Sequence, residues 1–383
     1  MTSRVSLCVL AAAVILPAAT ARAQAPVDSG AFVTRLGRDT VYVERYVRSR
    51  QRLIGDQLAL SPRPTIFHYV IDYGSDGLAD SARLDVRPPR AAASAEPELS
   101  TRIAFDGDSA TIVQRRGDSA RSRRVAISAG TVPLVYFSWG TYEQLTRTAR
   151  RADDGAVELA GLPFGVSRPI AQAVRPIGAD SVTITSSQFG TFRARVDPTG
   201  RLLAVDARGT TDKYVAHRVR HLDFAARVRA AHGLGQLSPR DTVRFAAGGA
   251  HLLVDYGRPS MRGRAIFGAL VPFGEVWRTG ANAATQFATD RELELGGSRV
   301  PAGTYTLWTI PDSSGWTLIV NAQTGQWGTE YHADRDVVRV PMRVTTLRGG
   351  VERFTMSIVP GPRGGLLRMA WDHTRASVPF TVK

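Results

Sequence analysis

One cysteine, Cys8, stands in the 383 residues, and it lies inside the apolar opening run. Loss of that run leaves no thiol, which excludes disulfides, cysteine-zinc sites and a thiol nucleophile. Lysine is almost missing: Lys213 and Lys383 are the only two, so arginine carries the positive charge. After the opening run no apolar stretch approaches the roughly 20 residues that span a bilayer, and no transmembrane segment is expected. Familiar catalytic signatures are absent as well. There is no GxSxG, HExxH or Walker loop; "YGSDG" has the wrong spacing for a nucleophile elbow, and "GLGQLS" lacks the third glycine of a dinucleotide fingerprint. No cofactor is expected.

What is present begins with "MTSRVSLCVLAAAVILPAATARAQA". A basic Arg4, an apolar core from about Leu7 to Ala19 and a small-x-small ending at Ala21 to Ala23 read as a secretory signal peptide over residues 1–23. The mature chain is therefore expected in the periplasm or outside the cell. Its formal net charge of +15 loses two units when Arg4 and Arg22 leave. The arginines are spread along apparent strands ("RVRH", "FRARV", "RMAWDHTR"), whereas a nucleic-acid footprint clusters on one face, so nucleic acid is not the expected partner. An anionic small molecule, an acidic glycan or an envelope surface fits the charge better.

Period-two alternation marks strands in both halves. "TVYVERYV" sets Val41, Val43 and Val47 against Tyr42 and Tyr46, and "TIFHYVIDYG" puts Phe67, Tyr69, Ile71 and Tyr73 on one face. Turn signals such as "DYGSDG" and "VDPTGR" separate the runs. Only "PLVYFSWGTYEQLTRTAR", residues 133–150, reads as a helix, with proline at its start and basic residues at its end; Gly140 sits in its middle. "AARVRAAHGLGQL", residues 225–237, reads as a connector. Beyond it, "RELELGG", "GTYTLWTI", "GWTLIV", "RFTMSI", "GLLRMAW" and "SVPFTV" alternate at a spacing that suits two packed sheets. Five of the six tryptophans fall there. The expected fold is mainly β: an N-terminal antiparallel sheet with one helix over residues 30–224, then a C-terminal β-sandwich over 238–383.

From Ser238 the residues resemble a bacterial family known as domain of unknown function 2911. The likeness runs through "LSPRDTV", "VDYGRPSMRGRAIFGALVPFGEVWRTGANAAT", "LELGGSRVPAGTYTLWTIP", "GWTLIVNAQTGQWG" and "RFTMSI". Ala283 departs from it, standing where the family usually carries glutamate. The resemblance implies a compact exported β domain without an assigned activity. The first half is loosely similar to the meander-plus-helix sheets of periplasmic lipoprotein carriers, which implies a carrier or docking surface, with a lipophilic cavity if the sheet curves around the helix.

The candidate site lies between Asp255 and Thr285. Arg258, Arg262 and Arg264 arrive within a few residues, and Arg278 follows. Their planar forks suit a carboxylate or phosphate. Tyr256 and Trp277 offer flat walls, Asn282 and Thr285 offer orienting groups, and Trp308 and Trp327 add faces for stacking. The leading expectation is a binding protein that takes an acidic glycan or small anion through its second half. One alternative is a hydrolase with Asp255 as general base. Another is a scaffold whose loop plugs the sandwich. His217, His221 and Asp223, like His332, Asp334 and Asp336, read as surface polar groups, and no metal site is expected.

Overall fold

A computed structural model describes residues 28–92 and 94–383; the signal peptide expected over residues 1–23, with Cys8, lies outside the described residues. The first sheet is built from β1 (Asp28–Leu36), β2 (Asp39–Arg48), β3 (Arg52–Ala59), β4 (Thr65–Tyr73), β5 (Ala79–Arg87), β6 (Leu99–Asp106), β7 (Ser109–Arg116) and β8 (Ser119–Ala126). It continues through β9 (Val132–Leu134), α1 (Trp139–Ala149), β10 (Val157–Pro163), β11 (Ile170–Pro176), β12 (Ser181–Ser186), β13 (Gly190–Val196), β14 (Leu202–Asp206) and β15 (Val215–Arg218). Its 15 strands form two meanders joined where β1 pairs with β15, so β8 and β9 end up at opposite edges. Every pairing is antiparallel except β9 with β10, the two strands that α1 connects.

The alternation in β4 performs as its residues require: Tyr69, Ile71 and Tyr73 are buried, facing α1 across the concave side. Trp139, Tyr142, Leu145 and Ala149 of α1 fill that side, packed among Ile71, Ile184, Phe192 and Val205. The valines of β2 behave less uniformly, because Val43 is covered by Phe224 while Val47 remains exposed.

The helix expected over 133–150 begins later, at Trp139. Pro133 instead sits in the short edge strand β9, where its missing N–H costs no ladder bond, and Phe137 takes a left-handed φ of 57° that separates strand from helix. Gly140 is thereby in the first turn rather than the middle. A Cβ there would lie 2.7 Å from the Tyr46 ring, so the glycine lets α1 press onto β2. Two buried carboxylates fix the helix. Glu44 accepts from the Trp139 and Gly140 N–H groups and from the Ser138 and Tyr69 hydroxyls, and burial pushes its carboxyl up against the pull of those bonds. Glu143 accepts from Tyr46 Oη, the Leu202 N–H and the guanidiniums of Arg147 and Arg218.

The connector starts with α2 (Phe224–Arg229), capped by Asp223 Oδ1 at 2.8 Å from the Ala226 nitrogen. It then runs back along the first sheet, Leu234 N–H donating to Leu60 O at 2.8 Å.

The second sheet comprises β16 (Arg240–Ala247), β17 (Ala250–Gly257), β18 (Thr285–Thr289), β19 (Leu293–Leu295), β20 (Ser298–Val300), β21 (Gly303–Ile310), β22 (Trp316–Asn321), β23 (Asp336–Gly361) and β24 (Gly364–Val382). Strand β23 belongs to both layers: its first part pairs with β22 and its remainder with β24. The sheet so folds over itself as a sandwich, with Trp316, Phe354, Met356 and Trp371 between the layers. The fold is mainly β, as the alternation implies. In β21 both faces are buried, since Tyr305 and Leu307 enter this core while Trp308 packs with Ala284 and Ile319.

Candidate functional site

Residues 258–284, which join β17 to β18, cross the end of the sandwich nearest the first sheet. The anchor is Trp277. Its N–H donates to Thr309 O at 2.7 Å and its carbonyl accepts from Thr309 N–H at 2.9 Å, stitching the loop to β21. Its indole stacks on Trp371 with centroids 6.0 Å apart and planes 16° apart, and meets Phe354 and Phe267 edge-on. Phe273 and Val276, by contrast, are exposed.

Between this loop and the Gly209–Tyr214 loop of the first sheet lies an open cleft of about 480 Å³. Trp277, Trp308, Trp327 and Tyr331 supply its aromatic wall, and Arg264, Arg278 and Lys213 bring cations to it. Asp212 and Glu275 add carboxylates. Trp327 is 47% exposed at the mouth, whereas Trp308 is nearly buried, its Nε1–H donating to Thr306 Oγ1 at 3.0 Å. Burial, reinforced by the Asp336 carboxylate that Tyr331 bonds at 2.6 Å, pushes the Tyr331 hydroxyl up to about 12.

Arg278 is the most informative of these side chains. Its stem lies across Gly328, where an added Cβ would come within 2.2 Å of Arg278 Cδ and 2.4 Å of the Asn282 carbonyl. Nη1 is buried with no hydrogen-bond partner among the described residues, and no carboxylate there pairs with the guanidinium. Burial alone lowers its hold on the proton below that of an ordinary arginine. A charged donor left in this condition costs free energy unless an acceptor arrives. Lys213 is held at a positive φ of 61°, and its ammonium is pushed below the ordinary lysine range by burial first, then by Arg278 and Arg264, with Glu275 pulling the other way. Burial also raises the Asp212 carboxyl.

The other residues expected at the site divide sharply. Arg264 reaches the cleft, but its Nε and Nη2 donate to the carbonyls of Met261 and Ser260 at 2.9 and 2.6 Å. Asn282 reaches the rim at a left-handed φ of 64°, its carbonyl accepting from Gly328 N–H at 3.0 Å. Tyr256 is not a wall: it is fully buried, its hydroxyl accepting from Met356 N–H at 2.9 Å and its ring edge-on to Phe354. Thr285 is buried too, donating to Thr279 O at 2.8 Å. Arg258 is consumed by Asp241 Oδ2, Thr355 Oγ1 and Phe354 O at 2.9, 2.8 and 3.1 Å. Arg262 points at the first sheet, pairing with Asp39, while its carbonyl accepts from Arg38 N–H at 2.9 Å. Asp255 lies outside the cleft, bonded by Arg240 Nε at 2.6 Å and Thr242 Oγ1 at 3.2 Å. Sequence spacing missed Asp212 and Lys213 altogether. The rarity of lysine and the non-glycine φ of Lys213 are the marks that single it out.

Residues 238–380 match the family described as "Protein of unknown function (DUF2911)", which bears out the resemblance carried by the motifs from "LSPRDTV" to "RFTMSI". No curated protein matches the chain. Among solved structures it is similar to the crystal structure of a DUF1089 family protein from Pseudomonas aeruginosa, at 17% identity and a TM-score of 0.31, over 43% of this chain and 89% of that one.

Proposed function

We propose that the protein is an exported binding protein whose cleft takes a ligand carrying a carboxylate or similar anion on a flat or sugar-like body. The observation that carries this reading is the unpartnered, buried Nη1 of Arg278 beside an open aromatic wall. An anion docking there would satisfy the guanidinium, and Trp277 and Trp327 would cover the ring beside it. Asn282 at the rim has the donor and acceptor to orient it. The hydrolase reading has no support from Asp255, whose carboxylate is taken by Arg240 away from the cleft.

Isothermal titration with galacturonate and with neutral galactose tests the reading. A charge-assisted hydrogen bond contributes roughly 1.5 to 3 kcal/mol, so galacturonate should bind about tenfold or more tightly than galactose. Arg278→Gln should erase that difference without lowering the melting temperature, because it removes an unsatisfied buried group. Equal affinity of the wild type and Arg278→Gln for galacturonate refutes ligand binding at Arg278. A fall in melting temperature alone would point to a scaffold loop.

A further inference from the structure

A second cavity, of about 920 Å³, lies on the far side of Lys213 and Arg264, and those two residues, with Gly209 and Leu270, line both spaces. Its floor is the convex face of the first sheet. There the pairing register sets one continuous row across five strands, Thr183 opposite Arg193, Arg193 opposite Asp206, Asp206 opposite Val215 and Val215 opposite Arg35. Adjacent strands are about 4.8 Å apart, so Arg193 and Arg35 stand roughly 14 Å from each other along the row. Asp206 is the one carboxylate in the lining, and Arg208 holds it through Nε at 3.0 Å and Nη2 at 2.6 Å. Arg35 has no ion pair or hydrogen-bonded carboxylate among the described residues. The groove is thus strongly cationic and continuous with the aromatic cleft.

We propose that cleft and groove form a single track for an acidic oligosaccharide several sugar units long. This rests on the binding reading above and specifies its ligand. The end ring sits among Trp277 and Trp327 with its carboxylate at Arg278; the chain passes Lys213 and Arg264; later carboxylates meet Arg193 and Arg35. A nucleic acid or polyphosphate, with a charge at every phosphate, fits less well. The track carries three carboxylates, Asp206, Asp212 and Glu275, and the hydroxyls of Thr183 and Thr191. Such groups bond sugar hydroxyls and oppose a dense line of anions.

The test titrates the full chain with galacturonate, its trimer and its hexamer, and with a six-nucleotide single-stranded DNA. Affinity should climb with length, the hexamer binding about tenfold or more tightly than the monomer, as linked contacts act together. The double variant Arg35→Gln/Arg193→Gln should collapse the ratio of hexamer to monomer affinity toward one. Arg121→Gln, on the distant edge strand β8, should leave that ratio unchanged. Monomer binding that depends on Arg278 with no gain from the hexamer overturns the track and leaves the cleft reading standing. Tighter binding of the DNA than of the hexamer also overturns it. Absence of any galacturonate binding removes both.

Discussion

Lys213 shows how one side chain can report on a site. The other lysine, Lys383, pairs with Glu294 at 2.5 Å, whereas Lys213 has no ion pair among the described residues and faces two arginines in a partly dehydrated wall. Burial and those neighbours both disfavour its charged form, so its proton leaves below the ordinary lysine value of 10.5. A bound carboxylate acts in the opposite sense and draws the proton back. Galacturonate binding is therefore expected to take up protons when Lys213 is partly deprotonated, and affinity should fall as pH rises through the lowered value. Titrations in buffers of different ionisation enthalpy measure the uptake, and Lys213→Met should abolish both effects; an unchanged pH profile in that variant would exclude Lys213 from the contact. At this scale the sequence was only partly legible. Arg258, Arg262, Arg264 and Arg278 look alike in the chain, yet Asp241, Asp39 and two backbone carbonyls engage the first three and leave Arg278 alone free. Nothing in local spacing separates them: Asp241 and Asp39 lie 17 and 223 residues from Arg258 and Arg262, and the carbonyls that engage Arg264, three and four residues back, are brought to it by the turn of the loop.

Strands were easier to read than the helix. Alternation in β4 is a local property and survives folding, since successive side chains must point to opposite faces. Helix α1 depends instead on distant support: Ser138 stands at its N-cap without a side-chain capping bond, and Glu44 from β2 serves the first N–H groups. Glu143 does comparable work on the other flank, completely buried with Arg147, Arg218 and Tyr46 around it. Glu143→Ala would leave two guanidiniums facing an empty space. Breaking such a buried arrangement costs about 3 to 5 kcal/mol, and urea unfolding of the variant should show a loss of that size. A loss below about 1 kcal/mol would mean that the arginines find water or new partners. Pro133 pointed to a helix in this region but misplaced its start, which lies at Trp139, because an edge strand and a helix N-terminus tolerate proline for the same missing N–H.

Across the molecule, the cleft exists because two sheets are held in one relative placement. Gly37 makes this possible: with a Cβ it would stand 2.2 Å from the Arg262 carbonyl. The Arg38 N–H bonds that carbonyl, the Arg262 side chain pairs with Asp39, and Glu352 Oε1 accepts from the Arg262 N–H at 2.9 Å. The wild type is expected to unfold in a single thermal transition, and Arg262→Ala to loosen the sheets and separate it into two, with galacturonate affinity lowered at the same time. A variant that unfolds in one step with unaltered affinity would show that the connector alone sets the placement. No helix among the described residues is long and apolar enough to cross a membrane. The sequence by itself determined the mainly β architecture, the change of texture near Ser238 and the family match of the second half, since alternation, turn chemistry and motif order are local properties of the chain. Only the tertiary structure decided which arginine is free, that Tyr256 and Thr285 are internal, and that the first sheet supplies Lys213 and Asp212 to the cleft. Those outcomes depend on which distant groups meet, and solvent exclusion and charge pairing are settled by that meeting rather than by spacing.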